Sequence, residues 1–336
     1  MDPNALDDVN RVPHGGTDDP RVIDFSANTN PERPPGVAPV YDAALSVSRR
    51  YPADDYGEFR SAAAAYVGCE PKEVIPSAGA MDGMRLLFSV SIGEGDAVLV
   101  PEPSFGEYER EIRLQGATPV GIAHDEVVEV DDPSEYDMVV VCNPNNPTGE
   151  TAETCDLLAL AERCRVAGTT LFVDEAFLDF TPRASLAGEP GVVVARSLTK
   201  MFGLPGLRAG FLAATGRLRD RLDAARVSWG LSTPATAVGT HCLEQEAFVE
   251  RTRERVAEER DRMATRLSAR WDVYPSDAPY LLFDVGADDP DDVLDAAREA
   301  GVVLRDARTF NRLDNHLRTA VRRPAENDRL LDALAV

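Results

Sequence analysis

The chain has 336 residues, with 58 Asp and Glu against 35 Lys and Arg, a formal net charge of −23. That length exceeds anything needing disulfide or metal staples, and the charge argues against a nucleic-acid-binding surface. Hydrophobic residues at 43%, with 24 Gly and 24 Pro, exclude a disordered or fibrous composition and predict a globular protein.

Residues 1–36 are proline-rich and start on a polar, acidic stretch with no apolar leader-like core, so they are expected to form an ordered arm or lid. From 37 to about 235, apolar runs at 98–100, 138–142, 171–173, 192–195 and 210–213 read as buried strands, separated by helical segments such as 81–90 and 153–166. Buried runs between helices predict an α/β domain with a mostly parallel sheet covered on both faces. From 236 to 336 the pattern becomes a smaller α+β layer. It has a charged helix at 244–270, a strand at 280–285, a helix at 291–300, strands near 302–305 and 317–321, and a last helix from 326. Trp229 is expected in the core, and Arg251, Arg253 and Arg255 on a solvated helix face. No apolar run approaches the roughly 18 residues needed to span a bilayer. The five scattered cysteines fit reduced core residues better than a disulfide framework or zinc site, and the protein is expected to be soluble and cytoplasmic.

Two of the 35 basic residues, Lys72 and Lys200, are lysines; the rest are arginines. Lys72 lies in a polar Glu-Pro-Lys-Glu turn, where a solvated role suffices. Lys200 follows a buried strand in Arg196-Ser197-Leu198-Thr199-Lys200, which suggests a task arginine cannot perform. Schiff-base formation with a carbonyl is such a task, because an amine can lose its proton and a guanidinium cannot. A strand-end lysine snorkelling to solvent is the plainer alternative. Asp174 ends the apolar run Leu171-Phe172-Val173, at the edge where open α/β sheets build ligand sites. A carboxylate there can hold a pyridinium nitrogen protonated, although strand-end aspartates also bind metals or cap helices. Asn146, in Asn143-Pro144-Asn145-Asn146-Pro147-Thr148-Gly149, can present its amide to a ring oxygen or serve only an Asx turn. The small-residue loop Ser77-Ala78-Gly79-Ala80-Met81 joins a strand to a helix and suits a phosphate.

In this order the four motifs resemble the aspartate-aminotransferase fold family of pyridoxal-phosphate enzymes over nearly the whole chain. The likeness is most specific at Asn146-Pro147-Thr148-Gly149, Asp174-Glu175-Ala176, and Ser197 to Lys200 with Arg208 following. The resemblance implies a type I pyridoxal-phosphate fold with a large and a small domain. Lys200 would bind the cofactor covalently, Asp174 would pair with its ring nitrogen, and Asn146 would bond its ring hydroxyl. Gly79, Ala80, Ser197 and Arg208 would hold its phosphate, Phe105 would stack on its ring, and Tyr51 would reach the phosphate from the partner subunit of a homodimer. Arg318 matches the arginine that grips a substrate carboxylate, and Arg305 the one facing a substrate phosphate. His14 is either a lid histidine or a phosphate contact, and Asn28 belongs to the substrate set. Ser77-Ala78-Gly79 departs from the family's usual Gly-Asn-Gly.

Within the family, His14-Gly15-Gly16, the segment 24–31, the ending 322–327 and Phe177, where aminotransferases usually carry tyrosine, look like the threonine-phosphate decarboxylase branch of cobalamin biosynthesis. The expected substrate is a small phosphorylated amino acid, with transamination of the histidinol-phosphate type as the alternative.

An acidic, lysine-poor surface suits high salt, where charge repulsion is screened over about 3 Å at 1 M. Melting temperature is therefore expected to rise from low to molar salt. A flat or falling curve would contradict the halophilic reading.

Overall fold

The computed structural model describes residues 1–7 and 9–336. Its strands begin with β1 (Ile23–Asp24) in the N-terminal arm. Then come β2 (Val74–Ser77), β3 (Ala97–Glu102), β4 (Thr118–Ala123), β5 (Met138–Cys142), β6 (Thr170–Asp174), β7 (Val192–Ser197) and β8 (Gly210–Ala213). The last seven form one sheet in the order β2-β8-β7-β6-β5-β3-β4. Among them β8 runs antiparallel to both neighbours, and the other pairings are parallel.

Side chains alternate across a strand, and this sorts each apolar run between two cores. Val139, Val141, Leu171, Val173, Val192 and Val194 face one core, packed with Phe59 of α2 (Gly57–Val67), Leu157 and Leu160 of α5 (Thr154–Ala167) and Val238 of α8 (Thr233–Leu243). Met138, Val140, Cys142, Phe172, Val193 and Ala195 face the other, against Leu87 and Phe88 of α3 (Ala80–Ser91), Ile112 of α4 (Glu107–Leu114) and Leu222 of α7 (Gly216–Ala225). Burying a side chain such as Phe172 contributes about 1.5–3 kcal/mol. The same alternation puts Cys142, Asp174 and Ser197 on the α3/α4 side at the C-terminal edge of the sheet. Glu175 and Arg196 point the opposite way and bond each other at 3.0 Å. The remaining large-sheet helices are α1 (Val37–Val47) and α6 (Leu198–Met201), the latter capped by the Ser197 hydroxyl accepting from the Thr199 N–H.

The C-terminal layer starts with α9 (Glu246–Leu267), followed by β9 (Asp272–Val273), β10 (Tyr280–Asp284), α10 (Pro290–Glu299), β11 (Val302–Val303), β12 (Arg305–Asp306), β13 (His316–Ala320) and α11 (Pro324–Ala333). An antiparallel sheet ordered β12-β13-β10-β9 forms its centre. The strand expected near 302–305 is two strands that break at Leu304. Val302 and Val303 pair with β1 of the arm, whereas Arg305 pairs with Arg318. The arm is thus hydrogen-bonded to the C-terminal layer. Among the described residues no helix is long and apolar enough to cross a membrane.

Three expectations are corrected. Trp229 is 49% exposed rather than in the core. It lies on a surface turn at φ +56°, stacked on Tyr51 at 4.6 Å and tied by its N–H to Asp54 at 2.9 Å. Arg251 is exposed as expected, but Arg253 and Arg255 are half-buried, because that face of α9 lies against the molecule. Arg255 donates to the Asn30 side chain at 2.8 Å and the Arg322 carbonyl at 3.0 Å, and Arg253 to the Asp179 carbonyl at 3.2 Å. Of the five free cysteines, Cys155 is exposed at the start of α5 and Cys69 is only partly buried.

Candidate active site

The C-terminal ends of β5, β6 and β7 open into a cavity of about 150 Å³ lined by Asn146, Asp174, Ser197, Lys200 and Arg208, with Ala80 and Phe105 at its walls. These residues are separated by up to 128 positions in the chain. The parallel register brings them together by aligning Cys142 with Asp174 and Asp174 with Ala195.

Asp174 uses both carboxylate oxygens. Oδ1 accepts from the Ala176 N–H at 3.0 Å and Oδ2 from the Tyr108 hydroxyl at 2.7 Å. Burial raises its pKa, opposed first by the Tyr108 bond, then by the Ala176 N–H and the charges of Lys200 and Arg196. Lys200 sits on α6 with no ion pair among the described residues, its Nζ 5.5 Å from the centre of the Phe177 ring. Burial lowers its pKa to about 8. The positive charges of Arg318 and Arg208 push the same way, and Asp174 opposes them.

The loop before α3 is shaped for an anion. Gly79 stands at φ +95°, and a Cβ there would lie 2.6 Å from Nη2 of Arg208. Glycine therefore lets the guanidinium come against the backbone, where it donates to the Ala78 carbonyl at 2.9 Å. No side chain caps the N-terminus of α3. The Ser197 and Thr199 hydroxyls, 2.8 Å apart, complete the wall. A helix N-terminus beside an arginine and two hydroxyls has the chemistry to hold a phosphate.

Arg318 and Arg305 are direct cross-strand partners on β13 and β12; neither lines the cavity, but Arg318 reaches Asn146, which does. Both are buried, and neither bonds a carboxylate among the described residues. Arg318 donates to the Asn146 side-chain oxygen and to the Ser26 carbonyl at 3.2 Å, and its buried Nε has no partner. Burial, offset in part by Tyr280 and reinforced by the neighbouring Arg305 charge, lowers its pKa to about 10. Arg305 donates to the Pro13 carbonyl of the arm at 2.7 Å and to the Thr309 hydroxyl at 2.8 Å. His14 bonds Glu107 at 2.9 Å and lies 5.9 Å from the Phe105 ring. Asn28 is buried with its Oδ1 unpartnered. Tyr51 is 79% exposed and lies outside the cavity of its own chain.

Sequence reasoning missed Tyr108 and Thr199. Tyr108 follows Phe105 by three residues, across the turn that opens α4, and that short aromatic spacing was the available signal.

Residues 20–334 match the family described as Aminotransferase class I and II. The chain belongs to that family. A histidinol-phosphate aminotransferase of Archaeoglobus fulgidus is 30% identical over 320 residues, covering 93% of this chain and 98% of the relative. A protein provisionally named threonine-phosphate decarboxylase in Caldanaerobacter subterraneus is 29% identical, covering 92% and 88%. The crystal structure of a Sinorhizobium meliloti histidinol-phosphate aminotransferase with pyridoxal-5′-phosphate superposes with a TM-score of 0.84 at 21% identity, covering 92% of this chain and 89% of that one. The fold is that of the pyridoxal-phosphate-dependent aminotransferases, and pyridoxal 5′-phosphate is the cofactor. The cavity fits it: an amine able to lose its proton near pH 8, a carboxylate for the ring nitrogen, and the glycine-arginine cradle for the phosphate.

Covalent capture of the cofactor by the apoenzyme should accelerate with pH around a midpoint near 8, because only the neutral Lys200 amine attacks. Lys200→Ala should abolish turnover and borohydride fixation of the cofactor while leaving the fold intact, and Lys72→Arg should change neither. Stopped-flow absorbance and mass spectrometry of the reduced protein are the measurements.

Proposed function

We propose that the enzyme decarboxylates L-threonine O-3-phosphate, releasing carbon dioxide and leaving an aminopropanol phosphate of the kind used in cobalamin assembly. The supporting observation is the Arg305–Arg318 pair. Two adjacent guanidinium groups withdrawn from water without a carboxylate repel each other, and the ligand that relieves both carries two anionic groups. A phosphorylated amino acid supplies them, its carboxylate to Arg318 and its phosphate to Arg305, each in a charge-assisted contact.

Pyridoxal phosphate, when bound, takes up the electron pair left on the substrate Cα when a bond to that carbon breaks. Asp174 would hold the ring nitrogen in its charged form, and Asn146 would offer its amide to the ring oxygen. The grip of Arg305 and Arg318 on the two anionic groups would orient the substrate and so select which Cα bond breaks. In this reading it is the bond to the carboxylate. Carbon dioxide departs, and a proton from Lys200 Nζ replaces it on Cα. Phe177 adds no hydroxyl at the ring oxygen, in keeping with the decarboxylase branch.

A second reading is transamination of the histidinol-phosphate type, favoured by the relative from Archaeoglobus. The same arginines would then hold a phosphate from one substrate and the carboxylates of a keto acid from the other. Carbon dioxide release from threonine phosphate without a keto acid supports the first reading. Keto-acid-dependent turnover of histidinol phosphate, without such release, supports the second.

Arg305→Leu should cost roughly 2–4 kcal/mol of transition-state binding to threonine phosphate, about 30- to 1,000-fold in kcat/KM, and little on unphosphorylated threonine. Equal losses on both substrates would remove Arg305 from phosphate recognition.

We also propose a homodimer in which Tyr51 completes the partner's phosphate cradle. Tyr51 stacks on the exposed Trp229 at 4.6 Å, and Leu45, Val47 and Val227, close to one or the other in the chain, are exposed too. Tyr51→Ala and Lys200→Ala chains, each impaired alone, should regain activity when refolded together, since a mixed dimer holds one complete site. Mixtures no more active than their components would place Tyr51 outside the site.

A further inference from the structure

We propose that Tyr108 is a positioning residue that keeps the proton shared between Asp174 and the cofactor on the ring nitrogen. The inference holds whichever bond at Cα is broken, since it concerns only Asp174 and the ring.

The groups facing Asp174 come from five elements: Tyr108 on α4, Cys142 on β5, Arg196 on β7, Lys200 on α6 and Tyr280 on β10. Tyr108 is the one whose side chain donates a hydrogen bond to the carboxylate, at 2.7 Å. Lys200 is the amine committed to the cofactor, so its charge is not a fixed partner. Arg196 projects from the other face of β7, held by Glu175 at 3.0 Å and by Asp179. Cys142 and Tyr280 are both held in their neutral forms by burial. The Tyr280 hydroxyl is directed elsewhere, to the Asn145 carbonyl at 2.8 Å.

Tyr108 is also held rigidly. It is fully buried and edge-on to two rings, Phe105 at 5.6 Å and 84° and Phe172 at 6.4 Å and 85°. Burial and the Asp174 charge both keep its phenol protonated, so it remains a donor over the working pH range. Together with the Ala176 N–H it leaves the carboxylate with one orientation.

The chemistry follows from counting protons. Asp174 and the ring nitrogen share one. It rests on the nitrogen when the carboxylate is the better-stabilised anion, and moves to oxygen when burial is left uncompensated. A hydroxyl donated to the carboxylate stabilises only the first arrangement, and a hydrogen bond to a charged group is strong enough to decide between the two. Phe105 lies in the turn that leads into α4, its carbonyl accepting from the Tyr108 N–H at 3.0 Å. The entry to α4 therefore supplies a wall of the cavity and the donor that fixes the charge beneath it.

The test uses the holoenzyme and Tyr108→Phe, which removes one oxygen and keeps the ring packing. With cofactor labelled with nitrogen-15 in the ring, the wild-type nitrogen should resonate at the protonated position at neutral pH. In the variant it should move toward the unprotonated position at the same pH. Affinity of the apoenzyme for pyridoxal phosphate should fall about tenfold or more. Affinity for the 1-deaza analogue, with carbon in place of the ring nitrogen, should change less than twofold. An unmoved nitrogen resonance, or equal losses for cofactor and analogue, would assign Tyr108 a packing role and overturn the proposal.

Discussion

Lys200, Arg305 and Arg318 are cations withdrawn from water with no carboxylate bonded to any of them among the described residues. Such burial costs several kcal/mol per ion unless a counter-charge arrives, and the depressed pKa values of Lys200 and Arg318 record that cost. The binding surface is therefore electrostatically incomplete as a protein. On the proposed function, anionic ligands would complete it, one at the loop beside Arg208 and others at the paired guanidinium groups. The amine between them loses its proton because it is buried among like charges.

The contrast with other buried arginines sharpens the point. Arg196 bonds Glu175 and Asp179, and Arg60 bonds Asp223 at 2.6 Å. Those guanidinium groups hold elements together and need no ligand. Arg196 and Ser197 are consecutive on β7, yet one belongs to a closed ion-pair cluster and the other to the cofactor wall, because neighbouring side chains on a strand point to opposite faces. The pleat of the sheet thus separates structural charge from chemical charge within a single peptide unit.

The arm and the C-terminal layer close the site through β1 with β11 and through Arg305 with Pro13. Arg305 touches both the arm and the surface that would receive a substrate anion, so arm position and ligand binding act on the same guanidinium. Glu102 with Arg312 at 2.9 Å and Glu109 with Asn311 join the C-terminal layer to the large sheet on the same side.

Lys200, Asp174 and Asn146 could be singled out from the sequence because each lies shortly after a buried apolar run and is chemically distinctive there, whereas Arg208 was named only through the family resemblance. The buried strands were equally visible, since both faces of the central sheet are covered and the apolar runs are unbroken. Trp229 was misjudged because hydrophobicity states what a side chain prefers and not which neighbours the chain offers it. Tyr108 was unseen because its partner lies 66 residues away, and the adjacency of Arg305 and Arg318 depends on antiparallel register. The sequence by itself determined the α/β class, the acidic charge and the family, and pointed to Lys200 as the candidate amine, because composition and short contiguous patterns carry all four. Tertiary structure alone decided which charges are left without partners, because burial and pairing are properties of distance in space and no local pattern encodes them.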